Sequence, residues 1–499
     1  MKRAHNILLL AILLASTLVN AQDDNIFLNR DFWKGDVTVS TVAQKIKEGN
    51  DPSMLNANAF DATVYALLEK KDVAVIKYLL AQPGNDVAKK THDSRIYLHW
   101  AAYAGDVATV NYLLKEGSST TALDSHSFTP LAFGINAGQV HPAIIDAFED
   151  AGVNLTAQKS DTGVNLLLLA APSLKTDADL DYFLNKGFDI NATDTKGNGI
   201  FNYAAKKGNI DFLKTLVASG VAYKEFASDG GNAFMFAAQG GRGYSNSLAV
   251  YEYLQSLGLE ANVVTKQGTT PLHRLAYSNK DAAIFNFFIN AGVDVNQKDK
   301  SGTTAFHNAA ARNNLAIVQL LAKQLTDINT VNDKGQTPLM LAVGGNDMSV
   351  VQYILDNGGD AFAKDKAGNS LASYLVQSYS ARNPKAFESK LALLSKKGVS
   401  LTTTQTEGNT PLHLAVLKND VNLVKQLLAY KPAINAKNSE GLTALHIAAM
   451  KAKDDRLMKL LIASGADHTV KTDFEESVLD LATENELLQQ NNIPLTFLK

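Results

Sequence analysis

Cysteine is absent from the 499 residues. That excludes disulfides, thiolate metal sites, a cysteine nucleophile and lipid attachment through an N-terminal cysteine. Basic charge is not in excess either. The formal net charge is −3, so the chain as a whole lacks the electrostatic footprint of a nucleic-acid binder. After residue 21 no apolar run is long enough to span a bilayer. Catalytic signatures are missing as well: there is no His-Glu-x-x-His, no Gly-x-Ser-x-Gly and no Walker-type phosphate loop. A non-enzymatic chain without cofactor or metal is therefore expected. Composition is otherwise that of a soluble globular protein, 46% hydrophobic and 19% charged, which argues against disorder.

The first 21 residues stand apart. Lys2 and Arg3 form a positive start, Ile7 to Leu14 a short apolar stretch, and Val19-Asn20-Ala21 a small-residue cleavage site. This pattern predicts a secretory signal cut after Ala21, leaving a mature chain of net charge −5 with no membrane insertion. An exported chain of this size without cysteine suits a bacterial envelope, periplasmic or secreted.

A motif then repeats. Gly268-Thr269-Thr270-Pro271-Leu272-His273 returns as Gly302-Thr303-Thr304-Ala305-Phe306-His307, Gly335-Gln336-Thr337-Pro338-Leu339-Met340, Gly408-Asn409-Thr410-Pro411-Leu412-His413 and Gly441-Leu442-Thr443-Ala444-Leu445-His446. Threonine is placed to cap the first helical amides, and proline is tolerated in the first turn because its missing N–H would be unpaired anyway. Leading positions fall at 94, 127, 163, 197, 230, 268, 302, 335, 368, 408 and 441, a period near 33 with longer steps of 36, 38 and 40. The longer steps hold extra residues near Gln139 to Pro142, at Gln239 to Ser247 and at Ser378 to Pro384.

With this period and motif the chain resembles the ankyrin-repeat family. The resemblance implies an all-α helix-turn-helix solenoid with short β-hairpin fingers, and a protein-binding scaffold rather than a catalyst. The organisation read on this basis is a signal over 1–21, an N-terminal cap and degenerate repeats over 22–93, the repeat array over 94–473, and a C-terminal capping repeat over 474–499. Within 22–93, helices are expected near 60–69 and 73–80.

Three sets of residues could carry function. His99, His273, His307, His413 and His446 share one repeat position. Adjacent repeats lie roughly 10 Å apart, too far for these imidazoles alone to share a zinc ion. The resemblance implies a structural histidine bonded to threonine and to the next hairpin. The position after it is aromatic in the N-terminal half, at Trp100, Phe133, Tyr203 and Phe236, with Tyr103 nearby. Together with Arg242 and Tyr244 of the glycine-rich insertion, and Tyr277, these are candidate anchors for a protein partner. Semi-buried stacking between repeats accounts for the run equally well. Finally, Lys196, Lys266, Lys300, Lys334 and Lys366 stand just before the turn glycine, with Glu407 and Glu440 in the next two fingers. Lys266 and Lys300 join the candidate contacts as residues that steer an acidic partner. A monomer is expected. The rival readings are a small-ligand or glycan receptor built on the N-terminal aromatics, and an enzyme hidden in repeats 127–260.

Overall fold

The computed structural model describes residues 25–241 and 243–499; the signal-like segment 1–21 and Arg242 lie outside the described residues. Among the described residues are 28 α-helices and no strand. Each period supplies two short helices. First helices pack on first helices, as Tyr97–Ala104 on Pro130–Asn136 and Ala305–Arg312 on Pro338–Gly345. Second helices form the other layer, as Val107–Lys115 on Pro142–Asp150 and Leu315–Ala322 on Met348–Asp356. The chain divides into two compact units, one reaching to Gly240 and including Glu252–Leu259, the other comprising Gly241–Tyr251 and Glu260–Lys499. The division falls at the glycine-rich insertion of the 38-residue step.

Thr-Pro-Leu-His builds what its chemistry requires. Helices start at Pro271, Pro338 and Pro411. The Thr410 hydroxyl accepts the His413 N–H at 3.4 Å, and that of Thr337 accepts the Met340 N–H at 3.3 Å. In the degenerate unit, helices Ala62–Leu68 and Val73–Leu80 form without the motif. There Asp61 takes over the cap. It accepts the Val64 N–H at 2.9 Å, the Tyr97 hydroxyl at 2.6 Å and the Lys89 ammonium at 2.7 Å, all around a fully buried carboxylate. Before it, Phe27 and Trp33 are buried, and the Trp33 indole N–H donates to the Phe27 carbonyl at 2.8 Å.

The fingers correct one expectation: they are tight turns rather than β-hairpins. Isolated bridges occur only at Lys159/Asn165 and Gly241/Tyr244 among the described residues. A side chain does the work of a ladder. Asp299 Oδ1 accepts the N–H groups of Ser301 at 2.8 Å and Thr303 at 2.9 Å, while the Asp299 N–H donates to the Thr303 carbonyl at 2.9 Å. Each finger then holds the next by one backbone bond. Lys300 N–H donates to Gln267, Asp333 to Ser301 (both 2.8 Å) and Lys366 to Lys334 (2.9 Å).

The repeat at 368 is the poorest of the second unit. Ser373 stands at the position that is His273, His307, His413 and His446 in four other repeats of this unit and Met340 in a fifth, and its hydroxyl and that of Ser370 are buried without a hydrogen-bond partner. Its second helix, Pro384–Lys396, is longer and buries Lys390, whose ammonium donates to the Val343 carbonyl at 3.0 Å. Burial pulls the Lys390 amine below the usual lysine range.

The leading position of each repeat is a left-handed residue. Gly302 (φ +72°), Gly335 (+75°) and Gly408 (+75°) fill it without strain. At Gly302 a Cβ would also come within 2.9 Å of the Asp333 backbone nitrogen. Ser94, Ser127 and Glu475 hold the same conformation at φ 60°, 64° and 63°. A side chain there costs about 1 kcal/mol or more. Ser127→Gly and Glu475→Gly are therefore each expected to stabilise the protein by somewhat under about 1 kcal/mol, because glycine loses more entropy on folding. A higher urea midpoint at unchanged slope would report this, and an unchanged or lower midpoint would contradict it.

Candidate interaction surface

The histidine row is a set of clamps. His307 Nδ1 accepts the Thr304 N–H at 3.2 Å and lies 2.9 Å from its hydroxyl, while Nε2–H donates to the Gln336 carbonyl of the following finger at 3.2 Å. His273 reaches Thr303 in the same way at 3.1 Å, and His413 reaches Leu442 at 3.0 Å. His446 bonds the Val470 carbonyl at 3.0 Å and His99 that of Phe128 at 3.1 Å. Accepting at Nδ1 and donating at Nε2 requires the neutral ring. Burial holds all five below the ordinary histidine range, His307 to about 4. Among the described residues no group of His, Asp or Glu is placed to hold a metal ion.

The position after this histidine has a use that the sequence did not disclose. Trp100 is only 5% exposed, and its indole N–H donates to the Thr91 hydroxyl at 2.8 Å. Tyr203 donates to Asp194 at 2.9 Å and Tyr374 to Asp365 at 2.6 Å. Tyr65 accepts from the Asn56 side chain at 2.8 Å. Each partner lies nine residues earlier, so the polar tip of the aromatic ties the first helix to its own finger. Burial beside these carboxylates raises the Tyr203 and Tyr374 hydroxyls. Trp100 is thus a support with little surface to offer a partner. Tyr65 shows that the aromatic run begins one repeat before Trp100, where no motif marks it.

In the first unit these rings form a ledge. Tyr103, 40% exposed, stacks on half-buried Phe133 with centroids 5.5 Å apart and planes at 21°. Trp100 meets both edge-on, at 6.2 and 5.9 Å. Phe60 continues the ledge, 5.6 Å from Trp100, 5.6 Å from Tyr65 and 4.9 Å from His92. Arg95 pins it. Its guanidinium lies 4.2 Å from the Phe133 centroid and 5.2 Å from that of Trp100, with ion pairs to Asp124 at 2.9 Å and Asp93 at 3.1 Å. Arg95 occupies the place of Thr269 in the motif, and that departure was the available signal for it. Tyr203 and Phe236 pack on each other at 5.0 Å, both half-buried.

In the second unit the remaining candidates are separate features. Tyr277 is 50% exposed, with the Arg312 guanidinium 4.9 Å from its ring. Lys266 and Lys300 are exposed at their fingers. Tyr244 is half-buried, and its ring lies over Gly241, where any Cβ would overlap it. Gly241 and Tyr244 are thus held against each other, also by an isolated bridge, and Arg242 lies outside the described residues.

Comparison with known proteins gives one family. The model described as "Ankyrin repeats (3 copies)" matches residues 201–298, 234–332, 272–365 and 378–472, together more than half the chain. "Ankyrin repeats (many copies)" matches 151–217 and "Ankyrin repeat" 96–125. Relatives include the putative ankyrin repeat protein FPV031 of Fowlpox virus, 30% identical over 33% of this chain and 48% of the viral protein. Alpha-latrocrustotoxin-Lt1a of Latrodectus tredecimguttatus is 30% identical over 28% of this chain and 9% of the toxin. The chain thus spans about half the length of the first relative and far less of the second. Among solved structures, the ankyrin repeat domain of human ASB11 matches with TM-score 0.38 and 24% identity over 44% of this chain and 96% of that domain.

The clamps make stability depend on pH. Below about 6.5 the unfolded chain takes up protons that the folded histidines refuse, until about 4 for His307. Their contribution is therefore complete above pH 6.5 and is lost as the pH falls toward 4. Unfolding free energy measured across that range should decline, and the His307 ring should titrate near 4 by NMR. A His307 midpoint above 6 would contradict the clamp.

Proposed function

The chain belongs to the ankyrin-repeat family, and on that premise we propose that it is an exported, non-catalytic scaffold that holds a protein partner against the ledge of its first unit. One observation carries the reading: Tyr103 is exposed and stacked on Phe133, with Arg95 fixed beside the pair by two carboxylates. Rigid aromatic rings next to a pinned guanidinium contribute contact area and cation–π attraction at small ordering cost. A glycan platform is less favoured, because the rings are packed on one another and Phe133 is already occupied by Arg95 and Tyr103. Export rests on Lys2, Arg3, the Ile7 to Leu14 stretch and the Ala21 site. The non-catalytic reading rests on the missing sequence motifs.

A photo-crosslinking residue at Tyr103 should capture a distinct protein that the same residue at Lys214, on the second helix Ile210–Ala218, does not. Tyr103→Ala and Phe133→Ala should each weaken that binding by about 1–3 kcal/mol. Trp100→Phe should instead lower stability by about 1 kcal/mol through the lost Thr91 bond, leaving binding near wild type. Equal capture at both positions would refute the ledge. Mass spectrometry of native protein should find a chain beginning at Gln22; an intact Met1 terminus would refute export by cleavage.

A further inference from the structure

The second unit carries a surface of different chemistry. The exposed residue nine past the leading glycine is Leu417 in the repeat at 408 and Met450 in the repeat at 441, 48% and 41% exposed. Between the first helices Pro411–Leu417 and Ala444–Lys451 these two side chains, with Ile447 beneath, line a groove of about 430 Å³. Glu407 and Glu440 stand at its finger end and Lys451 at the other. The acids break a pattern. Lys266, Lys300, Lys334 and Lys366 precede the glycine in the four earlier fingers of this unit, all exposed and, among the described residues, none within ion-pair distance of a carboxylate. The exposed charge nearest the turn glycine thus changes from lysine to glutamate where the apolar groove opens, Lys437 of the finger at 441 being paired with Asp473.

We propose that this groove docks a short protein segment that is apolar at its centre and basic at the end lying on Glu407 and Glu440. Two exposed aliphatic side chains over a buried floor give the segment an apolar seat. The glutamates attract its basic end, and the lysine fingers of the preceding repeats repel that end, which fixes direction as well as place. The two rim carboxylates oppose a polyanion such as nucleic acid. This surface is independent of the ledge, whose residues belong to the other unit.

Two short fluorescent peptides test it, sharing a leucine-rich centre and ending in arginines or in glutamates. The full mature chain should bind the arginine peptide at least about tenfold more tightly at low salt. Glu407→Lys with Glu440→Lys should reverse that order, Met450→Ser should weaken both peptides, and Tyr103→Ala should change neither. These are exposed positions, and circular dichroism would verify that each variant is folded. Equal binding of the two peptides, no binding of the arginine peptide, or an order unmoved by the double charge reversal would each overturn the proposal.

Discussion

Register in each unit is set by hydrogen bonds between successive fingers. One backbone N–H of a finger donates to a carbonyl of the finger before it, and in the repeats of His99, His273, His307, His413 and His446 the imidazole Nε2–H donates to a carbonyl of the finger after it. Everything else in the repeat is arranged so that these bonds can form. The left-handed leading residue brings the turn close enough, the Asx side chain satisfies the turn amides, and the threonine holds the imidazole by its other nitrogen. Hydrophobic burial supplies most of the driving force but is non-directional. The polar contacts specify which neighbour each helix pair meets and at what offset.

The ledge lies where this scheme is least regular. Asp93 and Ser94 are both left-handed without being glycine, an arrangement costing about 1–2 kcal/mol per residue. It persists because the residues around it are over-determined. Thr91 accepts from Trp100 and donates to the Arg95 carbonyl at 2.7 Å, and Asp93 itself pairs with the Arg95 guanidinium. Strain held in place by a dense polar network is found disproportionately at functional sites. Here it is tied through Arg95 to the Tyr103–Phe133 pair.

Periodicity made the fold legible, because the same local chemistry is written out many times. Helix starts and the leading position of each repeat could be read from one repeat and checked against the next, and the threonine–histidine clamp was what the family resemblance implied. The surface was less legible. Trp100 and Tyr103 are three residues apart on one helix and equally plausible as anchors by residue type, yet one is nearly buried and the other 40% exposed. What separates them is the hydroxyl of Thr91, nine residues away, which no pattern of apolar positions reveals. Phe60 and Tyr65 escaped for a related reason: their repeat replaces the motif with Asp61, so nothing in the sequence aligned them with the run they begin. The fingers misled in the opposite direction, since a turn whose amides bond to an aspartate looks, in sequence, like a hairpin.

The repeat at 368 matters when the chain is pulled. Neighbouring repeats share load through the backbone bond between fingers and through the clamp, and at Ser373 the second of these is missing while the first persists from Thr406 to Ala367 at 2.8 Å. A lysine buried on the adjacent helix adds desolvation cost at the same level. Met340 leaves the junction from 335 to 368 without an imidazole as well, so tension on the C-terminus would find its weakest stretch over these two successive junctions, and the repeats beyond them would detach as a block before the clamped junctions made by His273 and His307 gave way. In mechanical terms the two missing imidazoles are a fuse.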